Sequence, residues 1–140
     1  MSQSPIFLPM GVLAAWTFIV LLLIPFRRFQ AGFAGTISAD DFKFGESSKV
    51  PGHVSIPNRA MMNLLELPVL FYVVCLMFVV TARVDATIVE VAWAYVGLRL
   101  AQTLIHITYN NVMHRLTVFT LGNIVLIGMW FLFFFPVIGK

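Results

Sequence analysis

Apolar residues run along this chain in four long blocks, separated by polar links of very unequal length. The blocks lie near Ile6–Phe26, Ala60–Ala82, Ile88–Tyr109 and Thr117–Ile138. Each matches the roughly 20 helical residues needed to cross a hydrocarbon layer. Lipid offers backbone groups no hydrogen-bond partner, so runs of this length predict α-helices rather than short tilted barrel strands. Ser2, Ser4 and Pro5 read as a helix start, and Pro68 predicts a freed carbonyl and a bend in the second helix. The links Arg83–Thr87 and Asn110–Leu116 are short, so the helices they join are expected to be antiparallel neighbours. The connection over residues 29–58 contains Gly32, Gly35, Asp40, Asp41, Gly45, Pro51, Gly52 and Pro57, which oppose a fifth helix. The expected architecture is one domain over residues 1–140, an all-α integral membrane four-helix bundle.

Composition strengthens this picture. Of 140 residues, 60% are hydrophobic and only 11% charged, and the mean hydropathy is +0.94. A soluble chain of this size has too little interior to hide so much apolar surface. Net charge is +3, but the basic residues are scattered and form no aromatic-interleaved stripe, so nucleic acid is not an expected partner. The single cysteine, Cys75, lies inside an apolar block and reads as a small hydrophobe. No basic residue precedes the first block, and Arg27-Arg28 closes it, so it is expected to be retained rather than cleaved as a signal.

Charge then orients the bundle. Arg27, Arg28, Lys43, Lys49, Arg59 and Arg115 flank the first and third links, whereas the other side has Arg83 and Lys140. The positive-inside rule places the long connection in the cytoplasm and both termini outside it. A bacterial inner membrane is the expected location.

Polar residues inside the blocks need a reason, because each costs several kcal/mol in lipid unless paired or hydrated. Arg59, Asn63 and Glu66 open the second helix at spacings i, i+4 and i+7, within an arc of about 60° on one face. On the third helix Arg99, Thr103, His106 and Asn110 form one stripe, with Gln102 at its edge. Antiparallel packing lets the stripes face each other. One reading is a structural ion pair between Glu66 and Arg99; the other is a wet basic pocket, since Arg59, Arg99 and Arg115 outnumber the one acid. Tyr109 reads either as an interface aromatic or as a second donor to such a site. His53 and His114 show no metal-ligand spacing, and no metal is expected. Arg83, Asp85 and Glu90 read as solvated interface residues, and Trp130 with Phe131–Phe135 as lipid or packing surface.

At these residues the chain resembles the MAPEG family, the membrane-associated proteins in eicosanoid and glutathione metabolism. The resemblance covers nearly the whole chain and is most specific at Arg59-x-x-x-Asn63-x-x-Glu66, followed by Leu67-Pro68. Arg99 in helix three, Arg115 at the entrance to helix four and the Arg27-Arg28 pair add to it. It implies a homotrimer binding glutathione between subunits and acting as a transferase or peroxidase on small lipophilic electrophiles. It further implies that Arg27, Arg28, Arg59, Asn63, Glu66, Arg99 and Tyr109 help hold glutathione. The tripeptide's carboxylates suit arginine forks, and its amine suits Glu66. Arg115 and His106 are the expected catalytic residues. A cation beside a thiol lowers its pKa, and Arg115, Arg27 or Arg28 could supply that charge. Eicosanoid-processing members carry a tyrosine seven residues after the arginine of helix three. Here that position is His106, also a hydrogen-bond donor, of a residue type whose free side chain titrates near neutral pH. The alternative reading is a non-catalytic member that binds lipid or serves as a partner scaffold.

Overall fold

The computed structural model describes residues 2–138 as five α-helices that make four spans. They are α1 (Phe7–Phe33), α2 (Gly52–Leu65), α3 (Pro68–Val80), α4 (Ala86–Ile107) and α5 (Val112–Ile138). One 3-10 turn, Ser4–Ile6, leads into α1, and another, Ala39–Phe42, lies in the first connection. The helices long and apolar enough to cross a membrane are Ser4–Phe33, Gly52–Val80, Ala86–Ile107 and Val112–Ile138. The chain is therefore all-helical, with the composition of an integral multi-pass membrane protein.

Three boundaries differ by several residues from those read off hydropathy, one being the start of α5 at Val112 rather than Thr117. Helix α1 runs through Arg27-Arg28 to Phe33, and α2 starts at Gly52 rather than near Ala60. Hydropathy marks where lipid ends, whereas a helix ends where its backbone bonds do. The first connection is correspondingly shorter than residues 29–58. It is also ordered: Asp41 closes a capping box with Ser38, and Ile37 packs with Ala31 and Val54 in a small second core. The Ser38 N–H, then the Ser47 hydroxyl, hold the Asp41 carboxyl below the usual carboxylate range.

The second span breaks where Pro68 predicts. Helix α2 ends at Leu65, Glu66 takes φ −87° and ψ −100°, and α3 restarts at Pro68. Proline has no N–H for the Leu64 carbonyl, so the regular ladder cannot pass this point.

Helix α4 lies at the centre and packs against α1, α2 and α5. The core joins Leu13 and Val20 of α1, Phe71, Val74, Cys75 and Phe78 of α3, Tyr95 of α4, and Met129 and Phe133 of α5. Phe71 stacks on Tyr95 at 4.6 Å, and Phe78 meets Phe133 edge-on at 5.1 Å, offset geometries that aromatic quadrupoles favour. Outside this core Phe18, Leu22, Ile127 and Phe131 are exposed, a surface that requires lipid or another subunit over it.

Arg83 is not simply solvated, contrary to the reading from sequence. It donates to the Phe133 carbonyl at 2.9 Å and the Leu132 carbonyl at 3.3 Å, with its guanidinium 4.8 Å from the Phe133 ring centre. Pro136, four residues after Leu132, supplies no N–H for that carbonyl, and Arg83 takes its place. At the same end Asp85 caps α4, accepting from the Ile88 N–H at 2.9 Å.

Candidate functional site

The polar face of α2 meets the far end of α4 at a groove of about 500 Å³. Arg59 and Asn63 stand one turn apart on α2, and Glu66 follows at its broken end. These three share the groove with His106, Asn110 and Arg115. A smaller inner arm of about 240 Å³ has Asn63 and Arg115 in its wall too, and adds Gln102 and Phe119. The spacing of Arg59, Asn63 and Glu66 thus does put them on one face, and that face opens onto His106 and Arg115.

Charge in the groove is unbalanced. Arg59 and Arg115 face it with one carboxylate, Glu66. Arg59 and Glu66 are exposed, and their side chains take no hydrogen bond among the described residues. Arg115 makes one side-chain bond, from Nη1 to the Asn110 side-chain oxygen at 2.7 Å. His106 is 4% exposed, and its Nδ1 is buried with no partner among the described residues. A buried ring nitrogen left without a partner costs about 1–3 kcal/mol, and it stands in the wall of a groove whose cations are also unpaired.

Arg99 lies behind this surface rather than on it. It is 1% exposed. Its Nε donates to the Tyr95 hydroxyl at 3.0 Å, Nη1 to Gln102 Oε1 at 2.7 Å and Nη2 to Asn123 Oδ1 at 3.2 Å. The rings of Tyr95 and Phe119 lie 5.4 and 5.2 Å from its guanidinium carbon. The Glu66–Arg99 ion pair allowed by the sequence is not formed; Arg28–Glu46, at 3.4 Å, is the one salt bridge among the described residues. Gln102 and Phe119 touch Arg99 and also wall the inner arm, so Arg99 supports the groove from within.

The other expected ligand residues are not brought into the groove by this chain. Arg28 pairs with Glu46 and lies 4.3 Å from the Phe42 ring centre, beside a separate, mostly apolar cavity of about 590 Å³. Arg27 is half-buried and lines neither the groove nor its inner arm. Tyr109 is exposed and meets His114 Nδ1 at 3.0 Å through its hydroxyl. Asn123 and Tyr95, which brace Arg99, were not singled out by sequence. Asn123 carried a faint signal as the one amide within the apolar run after Leu116.

A basic groove with one acid, opening beside a proline-broken second span, agrees with a match of the MAPEG family model to residues 6–135. The chain belongs to the MAPEG family. No curated protein and no solved structure matches it. The family match spans every residue of the groove, so the site belongs to the MAPEG domain itself.

Proposed function

We propose that this MAPEG protein is a glutathione-dependent transferase or peroxidase acting on lipophilic electrophiles at the membrane, assembled as a homotrimer. The observation that carries this reading is the groove with two unneutralised arginines, one free carboxylate and an imidazole in its wall. Glutathione fits that donor set, since a carboxylate matches the Arg59 fork and its ammonium matches Glu66, which leaves Arg115 for the thiol. Asn63 offers both a donor and an acceptor to its peptide groups. When bound, the tripeptide supplies a thiol nucleophile.

The chain's own residues do the remaining work. Arg115 provides a fixed positive charge beside a thiol, which favours its ionised form. His106, in the wall of the groove, donates a hydrogen bond to the reacting group in this reading, and a donor aimed where charge develops acts mainly on the transition state. Arg99 holds Gln102 and Phe119 at the inner wall. Arg27, Arg28 and Tyr109 lie outside the groove of their own chain and join a site only when a neighbouring copy presents them, as sites between subunits of a trimer allow. The basic flanks of the first connection support a topology with both termini outside the cytoplasm, in a bacterial inner membrane. Labelling of Ser2→Cys in a Cys75→Ser background tests that orientation, and reaction from the cytoplasmic side would reverse it.

The deciding experiment pairs binding with turnover. Glutathione should raise the melting temperature of the detergent-solubilised protein, because a ligand bound only by the folded state stabilises it. His106→Phe should keep that stabilisation while losing most conjugation of an aryl halide or reduction of a lipid hydroperoxide, and His106→Tyr should retain more activity than Phe. Stabilisation without turnover in the wild type would identify a non-catalytic binding member. No stabilisation at saturating glutathione would remove the cofactor assignment.

A further inference from the structure

The turn between α4 and α5 is fastened by its own side chains. The Tyr109 hydroxyl meets His114 Nδ1 at 3.0 Å, and Asn111 Oδ1 accepts the His114 N–H at 3.1 Å. Asn110 Oδ1 accepts from Arg115 Nη1 at 2.7 Å. Three consecutive residues thus reach across the turn to the adjacent pair His114 and Arg115. The backbone is specialised at the same point. Asn110 has φ +48°, a left-handed conformation that asparagine tolerates better than most side chains. Its N–H bonds the Ile105 carbonyl at 2.7 Å, closing α4.

The residue held by this frame stands in an unfavourable place. Arg115 lies in the first turn of α5, where the helix dipole opposes a cation. Both Arg115 and Asn110 line the groove. Asn110 is also a neutral acceptor: it can fix the guanidinium without cancelling its charge, which an aspartate there would do.

We propose that Asn110 is a positioning residue for Arg115, setting its guanidinium over the groove before any ligand arrives. This rests on the glutathione reading of the groove. A charge placed in advance acts on a bound thiol without reorganising, whereas a free arginine would lose rotamer entropy at that moment. The left-handed turn and the Oδ1 acceptor are two separate contributions, and substitutions can separate them. Asn110→Gly keeps the turn and removes the acceptor. Asn110→Asp keeps an acceptor and sets a carboxylate against Arg115.

The test uses the full-length protein in a Cys75→Ser background, so that the protein contributes no thiol, and the titration of free glutathione is subtracted. The ultraviolet thiolate absorbance of bound glutathione is titrated in wild type, Asn110→Gly and Asn110→Asp. The expected result is a thiol midpoint raised by about one pH unit in Asn110→Asp, where a nearby anion disfavours the thiolate, and raised less in Asn110→Gly. A second measurement, nitrogen-15 NMR of the ligand-free proteins, should show hindered rotation of the Arg115 guanidinium in wild type and its loss in Asn110→Gly. Unchanged midpoints in both variants with glutathione still bound would overturn the proposal, as would an Arg115 equally mobile in wild type and Asn110→Gly. If the wild type takes up no glutathione, the reading of the groove fails, and guanidinium order alone decides whether Asn110 positions Arg115.

Discussion

Two pairs of arginines in this bundle, beyond Arg27 and Arg28, differ in what answers their charge. Arg99 and Arg83 are served by the chain: Arg99 by three neutral side-chain oxygens and two rings, Arg83 by two carbonyls and the Phe133 ring. Arg59 and Arg115 face an open groove with one bond between them, the one from Arg115 to Asn110. Neither kind finds a carboxylate partner among the described residues. The chain therefore accommodates these cations by two routes, internal solvation at Arg99 and Arg83, and access to a groove at Arg59 and Arg115. Removing the first kind should cost stability, and removing the second should cost ligand binding.

The largest effect is expected at Arg99. Arg99→Ala leaves a cavity and strips partners from Tyr95, Gln102 and Asn123, so it should destabilise the ligand-free protein by about 3 kcal/mol, within the range of buried truncations. Reversible unfolding in mixed micelles measures it, and a loss under about 1 kcal/mol would erase the distinction from Arg59.

Arg83→Ala should cost about 1–2 kcal/mol by leaving the Leu132 and Phe133 carbonyls short of donors. The cause can be separated from lost packing. Pro136→Ala restores an N–H four residues after Leu132, so the double variant should recover part of the loss. A double variant no better than Arg83→Ala would assign the effect to the cation–ring contact instead.

His106→Phe removes an unanswered buried nitrogen at little change in shape. It should move ligand-free stability by no more than about 1 kcal/mol, in contrast with Arg99→Ala. A large destabilisation in the same unfolding assay would make His106 structural.

The smallest effect lies in the first connection. The Asp41 carboxyl is lowered in the folded state by the Ser38 N–H, then by the Ser47 hydroxyl. A depressed carboxylate pKa stabilises above the unfolded value of about 3.9 and loses that contribution as pH falls through the folded value. Hydrogen-exchange protection of the 38–47 segment, taken relative to the intrinsic exchange rate at each pH, should therefore fall as pH drops below about 3.9, and Asp41→Asn should flatten that dependence. Unchanged exchange in the variant would remove Asp41 as the cause.

Much of this organisation was legible in the sequence. Block lengths gave the four spans, and i, i+4, i+7 spacing placed Arg59, Asn63 and Glu66 on one face because helical geometry is local. Pro68 announced the break in the second span for the same reason. Depth and rotation were harder. His106 and Arg99 share a stripe seven residues apart, but the long Arg99 side chain turns toward Tyr95, Gln102 and Asn123 while the shorter His106 reaches the groove. Wheel geometry fixes a face and leaves the course of a flexible side chain open. Arg27 and Arg28 were placed by family pattern and Tyr109 as a possible second donor, and the packing of a single chain takes all three elsewhere.

The most direct measurement is the glutathione-induced change in unfolding free energy for wild type, Arg115→Ala and Arg83→Ala under one set of conditions. At a ligand concentration near 100 times the wild-type Kd, stabilisation should be about 2.7 kcal/mol. Arg83→Ala should unfold more easily yet keep that increment, whereas Arg115→Ala should match the ligand-free wild type and lose most of it. Loss of the increment in Arg83→Ala with retention in Arg115→Ala would contradict the division of the arginines on which this account rests.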